Sequence, residues 1–268
     1  MDLATVLGIV VAFGALLGSV VVEGGHLRSL VNLPAALIVF GGTLGAAMIS
    51  SPLHVVLRSP IVLKHAVLGR LMEPREAIRT LVDLATTARR EGVLAIEAGL
   101  EKLRDPFLRK GIELVVSGTD PEVVREIMET ELATQADRHK TGAKLFLTMG
   151  GLAPTLGVTG TVMGLVHMMG KLDDPAQMGP SIAAAFLATL YGVASANVLF
   201  IPLGTKLATR SQQELFVREM LLEGILGLQA GLSPMIIEEK LKAFLEPRLR
   251  ARARGRPGEA SAREAKAA

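Results

Sequence analysis

The sequence predicts an all-α integral membrane protein, with four transmembrane helices in two hairpins and a helical cytoplasmic domain between helices 2 and 3. Four stretches contain no Asp, Glu, Lys or Arg, and each reaches the roughly 20 residues that a helix needs to span a bilayer. They are Leu3–Val22, Leu30–Leu57, Leu145–Gly170 and Pro175–Thr205. The connectors within the two pairs have only seven and four residues, so each pair is predicted to form a tight hairpin.

The amino-acid composition also favours packed membrane helices. Half of the residues are hydrophobic, yet aromatic residues make up only 3% and the chain has 28 Gly. Small residues let membrane helices approach one another closely. The absence of Cys excludes disulfide bonds and thiolate metal sites within this chain.

The basic residues predict the orientation in the membrane. Of the 29 Lys and Arg, 15 lie in 58–144 and 12 in 206–268. The positive-inside rule places both blocks, and therefore both termini, in the cytoplasm. No basic residue precedes the first span, so this span is predicted to be retained rather than cleaved as a signal peptide. The arginine-rich run at 248–256 favours a disordered tail or an anionic-lipid contact over nucleic-acid binding.

These features predict five segments along the chain. Residues 1–57 form the first transmembrane hairpin, and residues 58–144 form the cytoplasmic helical domain. Residues 145–205 form the second hairpin, and residues 206–250 form cytoplasmic C-terminal helices. Residues 251–268 have no large apolar side chain and are predicted to be a disordered tail.

Proline and glycine mark the helix boundaries in the cytoplasmic blocks. Pro74 begins a helix with an apolar face, Gly92 ends it, and a second helix is predicted from Val93. Capping residues followed by proline predict a turn at Asp105-Pro106 and helix starts at Asp120-Pro121 and Ser233-Pro234. No strong helix breaker lies between Pro121 and Gly142, so the helix that starts at Asp120-Pro121 is predicted to continue into the third span.

Three glycines of the third span share one face of a helix. Gly157, Gly160 and Gly164 recur at intervals of three and four residues. No Lys-Ser or Lys-Thr pair follows them, as a phosphate-binding loop would require. The pattern therefore favours close packing against another helix over phosphate binding.

The sequence does not predict an enzyme, because it shows no nucleophile–base set, metal cluster or phosphate loop. The five His are scattered without paired ligand spacing, so no metal site is predicted. Hydroxyl residues in the third and fourth spans could line a hydrated path, but no span contains an acid or a Lys. His167, near the end of the third span, is a weak candidate for an ion relay. If ions pass here, a partner is therefore predicted to supply the titrating carboxylate.

Several motifs resemble the MotA/PomA family of flagellar stator subunits. The specific motifs are Ala153–Leu165, which reads APTLGVTGTVMGL, and Leu187–Gly192, which reads LATLYG. Further matches are Met1–Thr5, Phe40–Gly45 and Ala88–Glu97. The resemblance extends in order over residues 1–245 and includes the two-hairpin layout.

The resemblance implies an ion-driven torque generator in the bacterial inner membrane. Members of the family form a pentameric ring around two copies of a MotB/PomB-type subunit, whose membrane helix brings the ion-binding Asp. The ring converts the flow of H⁺ or Na⁺ into torque, so no cofactor is implied. By motif, Arg89 and Glu97 resemble the cytoplasmic charges that engage the rotor protein FliG. Charges on a solvated surface would also explain these two residues without a partner.

The resemblance also assigns roles within the spans. Pro154 and Pro202 resemble two prolines tied to conformational change, although from the residues alone a static kink explains them equally well. Thr161 and Thr189 resemble positions that line the cation path. Asn32 falls where sodium-driven members often carry Asp, which favours protons. Thr161 is common in sodium-driven members, so the sequence leaves both ions open.

Two other functional hypotheses compete with that of a stator subunit. An ExbB/TolQ-type energiser of envelope transport shares the ring-around-a-helix arrangement but is expected to have three spans. A membrane hydrolase or a self-sufficient channel is the third hypothesis. The lack of a catalytic set and of an intramembrane acid argues against both.

Overall fold

The structure, a computed structural model, describes residues 3–68, 71–103, 105–170 and 175–245, and every regular element within these ranges is helical. The all-α fold class is thereby confirmed. The predicted tail, 251–268, lies outside the described residues. The helices are α1 (Leu3–Val22), α2 (Leu33–Ser50), α3 (Leu53–Leu68), α4 (Pro74–Glu91), α5 (Pro106–Val116), α6 (Pro121–Met169), α7 (residues 175–229) and α8 (Pro234–Lys242).

The chain forms two compact units. The first unit combines Met1–Arg70 with Asp137–Ser211, and the second combines Leu71–Ala136 with Gln212–Ala268. In the described residues, α1, α2, α6 and α7 are long and apolar enough to cross a membrane. As predicted, the helix that starts at Pro121 continues without interruption through the third apolar stretch. The five predicted segment boundaries remain predictions.

The second apolar stretch contains two helices. It extends to Leu57 in the sequence, whereas α2 ends at Ser50. Ser51 adopts an extended conformation, with φ −140° and ψ 146°, because a residue before proline avoids the helical region and Pro52 follows it. The chain then begins α3 at Leu53.

Small residues bring α6 and α7 into close contact in the first unit. A Cβ added to Gly157 would lie 2.9 Å from the Ala188 carbonyl oxygen. A Cβ added to Gly160 would lie 2.7 Å from the Ala188 Cβ, and one added to Gly164 would lie 2.8 Å from the Ala185 Cβ. The prediction that these glycines form a helix-packing face is confirmed, because no larger side chain fits between the two backbones.

Each predicted proline lies within a continuous helical segment, and the backbone adapts differently around them. Pro154 lies inside α6, and a Cβ added to Gly192 of α7 would lie 3.2 Å from the Pro154 Cα. Pro202 follows a π-helical turn at Ser195–Phe200. Proline lacks an N–H and its ring collides with the carbonyl four residues earlier, so the wider π turn accommodates Pro202 without ending the helix. A second π turn lies in α2 at Leu37–Gly41.

The second unit has a conventional hydrophobic core. Its fully buried side chains include Leu81 of α4, Phe107 and Ile112 of α5, Met128 of α6 and Ile225 of α7. The helix starts predicted at Asp120 and Ser233 are confirmed, and Asp105, where a turn was predicted, also begins a helix; all three side chains cap their helices by accepting backbone N–H bonds. These bonds join Asp105 to Leu108 (3.0 Å), Asp120 to Glu122 (2.9 Å) and Ser233 to Ile236 (3.4 Å).

An ion pair stabilises the last helix of this unit. Lys242 Nζ lies 2.7 Å from a Glu238 carboxylate oxygen and 3.2 Å from one of Glu239. The hydrogen bond to Glu238 raises the pKa of Lys242 even though burial opposes the charged form. The pair therefore contributes stability from neutral pH up to the ordinary lysine pKa of 10.5, and this contribution is lost as the pH rises through the raised pKa of Lys242.

Gly92 ends α4 with a backbone conformation that favours glycine. Its φ is +91° and its ψ is 160°, a combination that other residues adopt only with strain. The following segment, Val93–Lys102, forms 3-10 turns rather than the predicted second helix. The segment lies between Gly92 and Pro106 and contains Gly99, a poor helix former, although its Ala, Leu, Glu and Lys residues would favour an α-helix.

Candidate functional site

The two threonines that were predicted to line an ion path contact each other directly. Thr161 lies on α6 and Thr189 on α7, and their hydroxyl oxygens share a hydrogen bond. Thr161 Oγ1 also lies 3.1 Å from the Gly157 carbonyl oxygen and 3.0 Å from that of Ala185. We call Thr161 and Thr189 the threonine pair. Both side chains are half-buried.

The glycine face explains why the threonine pair forms. A Cβ added to Gly157 would lie 3.3 Å from the Thr189 Cα, so only glycine allows α7 to approach α6 this closely. Thr161 lies one turn after Gly157 on the same helix, which brings its hydroxyl to the crossing. The sequence placed the glycines on one face but did not identify their counterpart on α7.

The chemistry of the threonine pair suits a small cation or a proton. A hydroxyl has one proton, so Thr161 donates to one acceptor at a time and keeps lone pairs for another donor or a cation. The Gly157 and Ala185 carbonyls add two neutral oxygens. Such hard oxygen ligands can replace part of the hydration shell of an alkali cation. Within the described parts of α1, α2 and the apolar stretches of α6 and α7, no carboxylate accompanies them.

Tyr191 joins α7 to the beginning of α2, a connection that the sequence did not reveal. Its hydroxyl accepts the Asn32 N–H at 2.9 Å and donates to the Leu30 carbonyl. The Asn32 side chain accepts the Ala35 N–H at 3.0 Å and so caps α2. Asp caps helices as well as Asn does, so the residue type at position 32 is explained by local structure and does not identify the driving ion.

The two prolines have different surroundings in the first unit. Pro154 is half-buried beside Gly192. Pro202 is exposed and borders a groove of about 370 Å³ that α1 also lines through Ala4, Thr5 and Gly8. Their role in conformational change remains a prediction.

The predicted rotor-contact residues are both exposed in the second unit. Arg89 lies in the last turn of α4, and Glu97 lies in the 3-10 segment after Gly92. Among the ion pairs of the described residues, none joins Arg89 or Glu97 to another side chain. The two charges are therefore accessible to another molecule.

A polar network in the second unit was also missed by sequence reasoning. The Gln135 amide donates to Glu214 at 2.7 Å, and Glu214 pairs with Arg218 at 2.9 Å. Arg218 also bonds to Gln135, and its guanidinium lies 5.4 Å from the centre of the Phe107 ring. The sequence shows only the four-residue spacing of Glu214 and Arg218, because their partners are distant in the chain. The network joins α6 to α7 and has no evident chemical activity.

Four described helices long and apolar enough to cross a membrane define a multi-pass membrane protein, and a hydroxyl pair lies at the close crossing of two of them. Comparison with known proteins identifies the family. The chain belongs to the motility protein A family: residues 6–92 match the motility protein A N-terminal model, and residues 100–220 match the MotA/TolQ/ExbB proton channel family.

Individual relatives agree with this assignment. The chain is 39% identical to motility protein A of Borreliella burgdorferi over 248 residues, which cover 92% of this chain and 95% of that protein. It is 35% identical to chemotaxis protein PomA of Vibrio alginolyticus over 251 residues, which cover 94% of this chain and 98% of that protein. The flagellar MotAB stator complex of Bacillus subtilis contains a similar chain, with 37% identity, a TM-score of 0.84, and coverage of 92% of this chain and 98% of that one.

These relatives favour the stator hypothesis over the ExbB/TolQ alternative. The matches over most of the chain are to motility proteins and a flagellar stator, and the shared family description is that of a proton channel. Membership of this family indicates a transport role.

Proposed function

We propose that this chain forms the ring of an ion-driven flagellar stator, with a MotB/PomB-type subunit at its centre. The observation that carries the proposal is the threonine pair: it offers neutral oxygens to an ion but includes no group that could bind and release a proton. The partner's aspartate completes the path. Membership of the motility protein A family and similarity to a MotAB complex support the same assembly.

The location and the ring size belong to this proposal. The protein spans the inner membrane several times, with both termini in the cytoplasm, and associates into a pentamer. The concentration of 27 of the 29 basic residues in 58–144 and 206–268 supports this orientation. H⁺ or Na⁺ drives the motor, since hydroxyl and carbonyl oxygens serve either ion.

The threonine pair assists the ion as it leaves or reaches the partner's carboxylate. An ion at this crossing loses part of its water, and the hydroxyls of Thr161 and Thr189 replace the lost oxygens. Pro154 and Pro202 permit the helices to bend as the carboxylate changes its protonation or ion occupancy. The contact between Pro154 and Gly192 supports this proposal, because a bend at Pro154 would alter the same crossing that positions the threonine pair.

Conduction is expected to require both subunits. Liposomes that contain the purified chain alone should show no flux of H⁺ or Na⁺ under an imposed gradient, since the described spans offer no carboxylate. Liposomes that contain the chain with its partner should conduct, and an Asp→Asn substitution in the partner's membrane helix should stop the flux. Flux through the chain alone would refute the proposal that the partner completes the path.

The cytoplasmic charges Arg89 and Glu97 provide the rotor contact in this proposal, and FliG is the rotor protein. Arg89 lies in the last turn of α4, and Gly92 then turns the chain so that Glu97 follows on a separate segment. Two exposed charges of opposite sign on adjoining segments suit a surface that carries complementary charges. Such contacts determine orientation and binding rate more than affinity.

Charge reversal at Arg89 is expected to impair swimming without reducing the amount of protein in the membrane. An exposed charge contributes only about 0–1 kcal/mol to folding, so a strong motility defect indicates a lost partner contact. Swimming speed and membrane content should be measured for Arg89→Glu and for Arg75→Glu, an exposed control on the same helix. Equal defects in both variants, or normal swimming of Arg89→Glu combined with Glu97→Lys, would remove this role from Arg89.

A further inference from the structure

Helix α3 carries an apolar face that remains largely exposed among the described residues. Leu53, Leu57 and Ile61 recur every four residues and are 55%, 68% and 58% exposed. Lys64 continues this row on the same face, and Arg58 lies beside the row. Both basic side chains are exposed. A soluble surface would not favour such a row, whereas a helix in the plane of a membrane surface needs both an apolar face and basic residues.

The opposite side of α3 packs against the ends of two membrane helices. Val62 and Leu63 are partly buried against a cluster formed by Ala143 and Phe146 of α6 and Leu207 of α7. These three residues lie at the boundary between the apolar stretches and the charged segments of their helices. The contact therefore places α3 at the depth where the membrane helices leave the hydrocarbon.

Basic residues surround this level of the first unit. Beyond three of the four apolar stretches the first charged residue at this end is basic, namely Arg58, Lys144 and Lys206, whereas Asp2 precedes the first stretch. The neighbouring segments 58–68, 137–144 and 206–211 contain seven Lys or Arg and a single acid, Asp137. We call the basic residues of these segments the basic belt. The positive-inside rule explains the basic residues, but it does not explain the apolar face of α3 beside the belt.

We propose that α3 lies in the interface of the cytoplasmic leaflet and that the basic belt binds the headgroups of anionic phospholipids there. The apolar row reaches the outer ends of the acyl chains, and Arg58 and Lys64 extend to the phosphates. Packing against α6 and α7 at the ends of their spans makes this lipid contact continuous with the helices that carry the threonine pair.

Lipid preference tests the charge half of the proposal. The full chain is placed in nanodiscs of equal amounts of phosphatidylglycerol and phosphatidylcholine, and native mass spectrometry measures the ratio of the two bound lipids. The chain is expected to retain mainly phosphatidylglycerol, and Arg58→Gln with Lys64→Gln should reduce this preference about tenfold. The exposed control pair Arg75→Gln with Arg79→Gln, in the second unit, should leave it unchanged. Equal retention of both lipids, or no effect of the belt variant, would overturn the proposal.

Depth in the membrane tests the apolar half. The chain has no Trp, so Leu57→Trp introduces a single tryptophan in the apolar row. Its fluorescence should be quenched by phospholipids with brominated acyl chains and shifted to shorter wavelength. Leu94→Trp, at a 71% exposed position of the second unit, is the matched control and should remain unquenched. If the Leu57→Trp variant were quenched no more strongly than the Leu94→Trp variant, α3 would face water or another protein instead.

Discussion

A strain in which valine replaces Thr189 is expected to lose most of its torque while its membranes retain the protein. Valine preserves the shape of the side chain and replaces the oxygen of the threonine pair with a methyl group. An ion that loses one oxygen ligand at the crossing is expected to pass roughly 10- to 100-fold more slowly, which corresponds to a barrier about 1.4 to 2.7 kcal/mol higher. Thr161 keeps the carbonyls of Gly157 and Ala185 as acceptors, so the helix crossing should persist.

The measurement is motor speed under high load, with membrane content as the check on folding. Thr159→Val is the matched control, because the Thr159 hydroxyl is exposed and bonds only to the Thr155 carbonyl of its own helix at 2.9 Å. If Thr189 served only for packing, valine would be the mildest substitution and Thr189→Ala the more harmful one. Full speed of the Thr189→Val strain would contradict a role for this hydroxyl in the ion path.

Replacement of Gly192 by alanine is expected to destabilise the protein, although it adds only one methyl group. The added Cβ would lie 2.5 Å from the Ala153 carbonyl oxygen and 3.0 Å from the Gly157 Cα. Both contacts are with backbone, which cannot move aside as a flexible side chain can, so α6 and α7 must separate. Overpacking of this kind costs about 1–3 kcal/mol, and here it should also pull the threonine pair apart.

Gly179→Ala provides the control for this prediction. Gly179 lies on the same helix, and a Cβ added there would meet nothing within 4 Å. Alanine is the better helix former, so this variant should be neutral or slightly stabilised. The thermal stability of the purified protein and its yield from membranes distinguish the two variants. Equal stability of Gly192→Ala and the unaltered chain would mean that the crossing is looser than the structure shows.

Sequence patterns predicted the fold because each element depends on local chemistry. Charge-free stretches indicated the membrane helices, and capping residues before proline indicated helix starts that the structure confirms at Asp120 and Ser233. The spacing of Gly157 and its neighbours indicated a packing face. The end of α2 at Ser50 was less evident, because hydropathy continues past Pro52 while the backbone cannot.

The site was less predictable, because it depends on contacts between distant residues. Thr161 and Thr189 are 28 residues apart, and only their resemblance to a known family brought them together in advance. The bonds of Tyr191 to Leu30 and Asn32 cross about 160 residues. Single-residue patterns contain no information about such partners, since a tyrosine or an asparagine in a membrane helix satisfies its polar groups in many ways.

The π turn at Ser195–Phe200 changes the phase of α7. A π turn is in effect one extra residue in an α-helix, and each residue of an α-helix advances the direction of the side chains by about 100°. Residues from Ile201 onward are therefore rotated by about that angle relative to a regular helix that began at Pro175. Without the π turn, Pro202 would lie on a different side of α7 relative to Thr189. The faces of α7 before Ser195 and after Phe200 are therefore offset from each other around the helix axis.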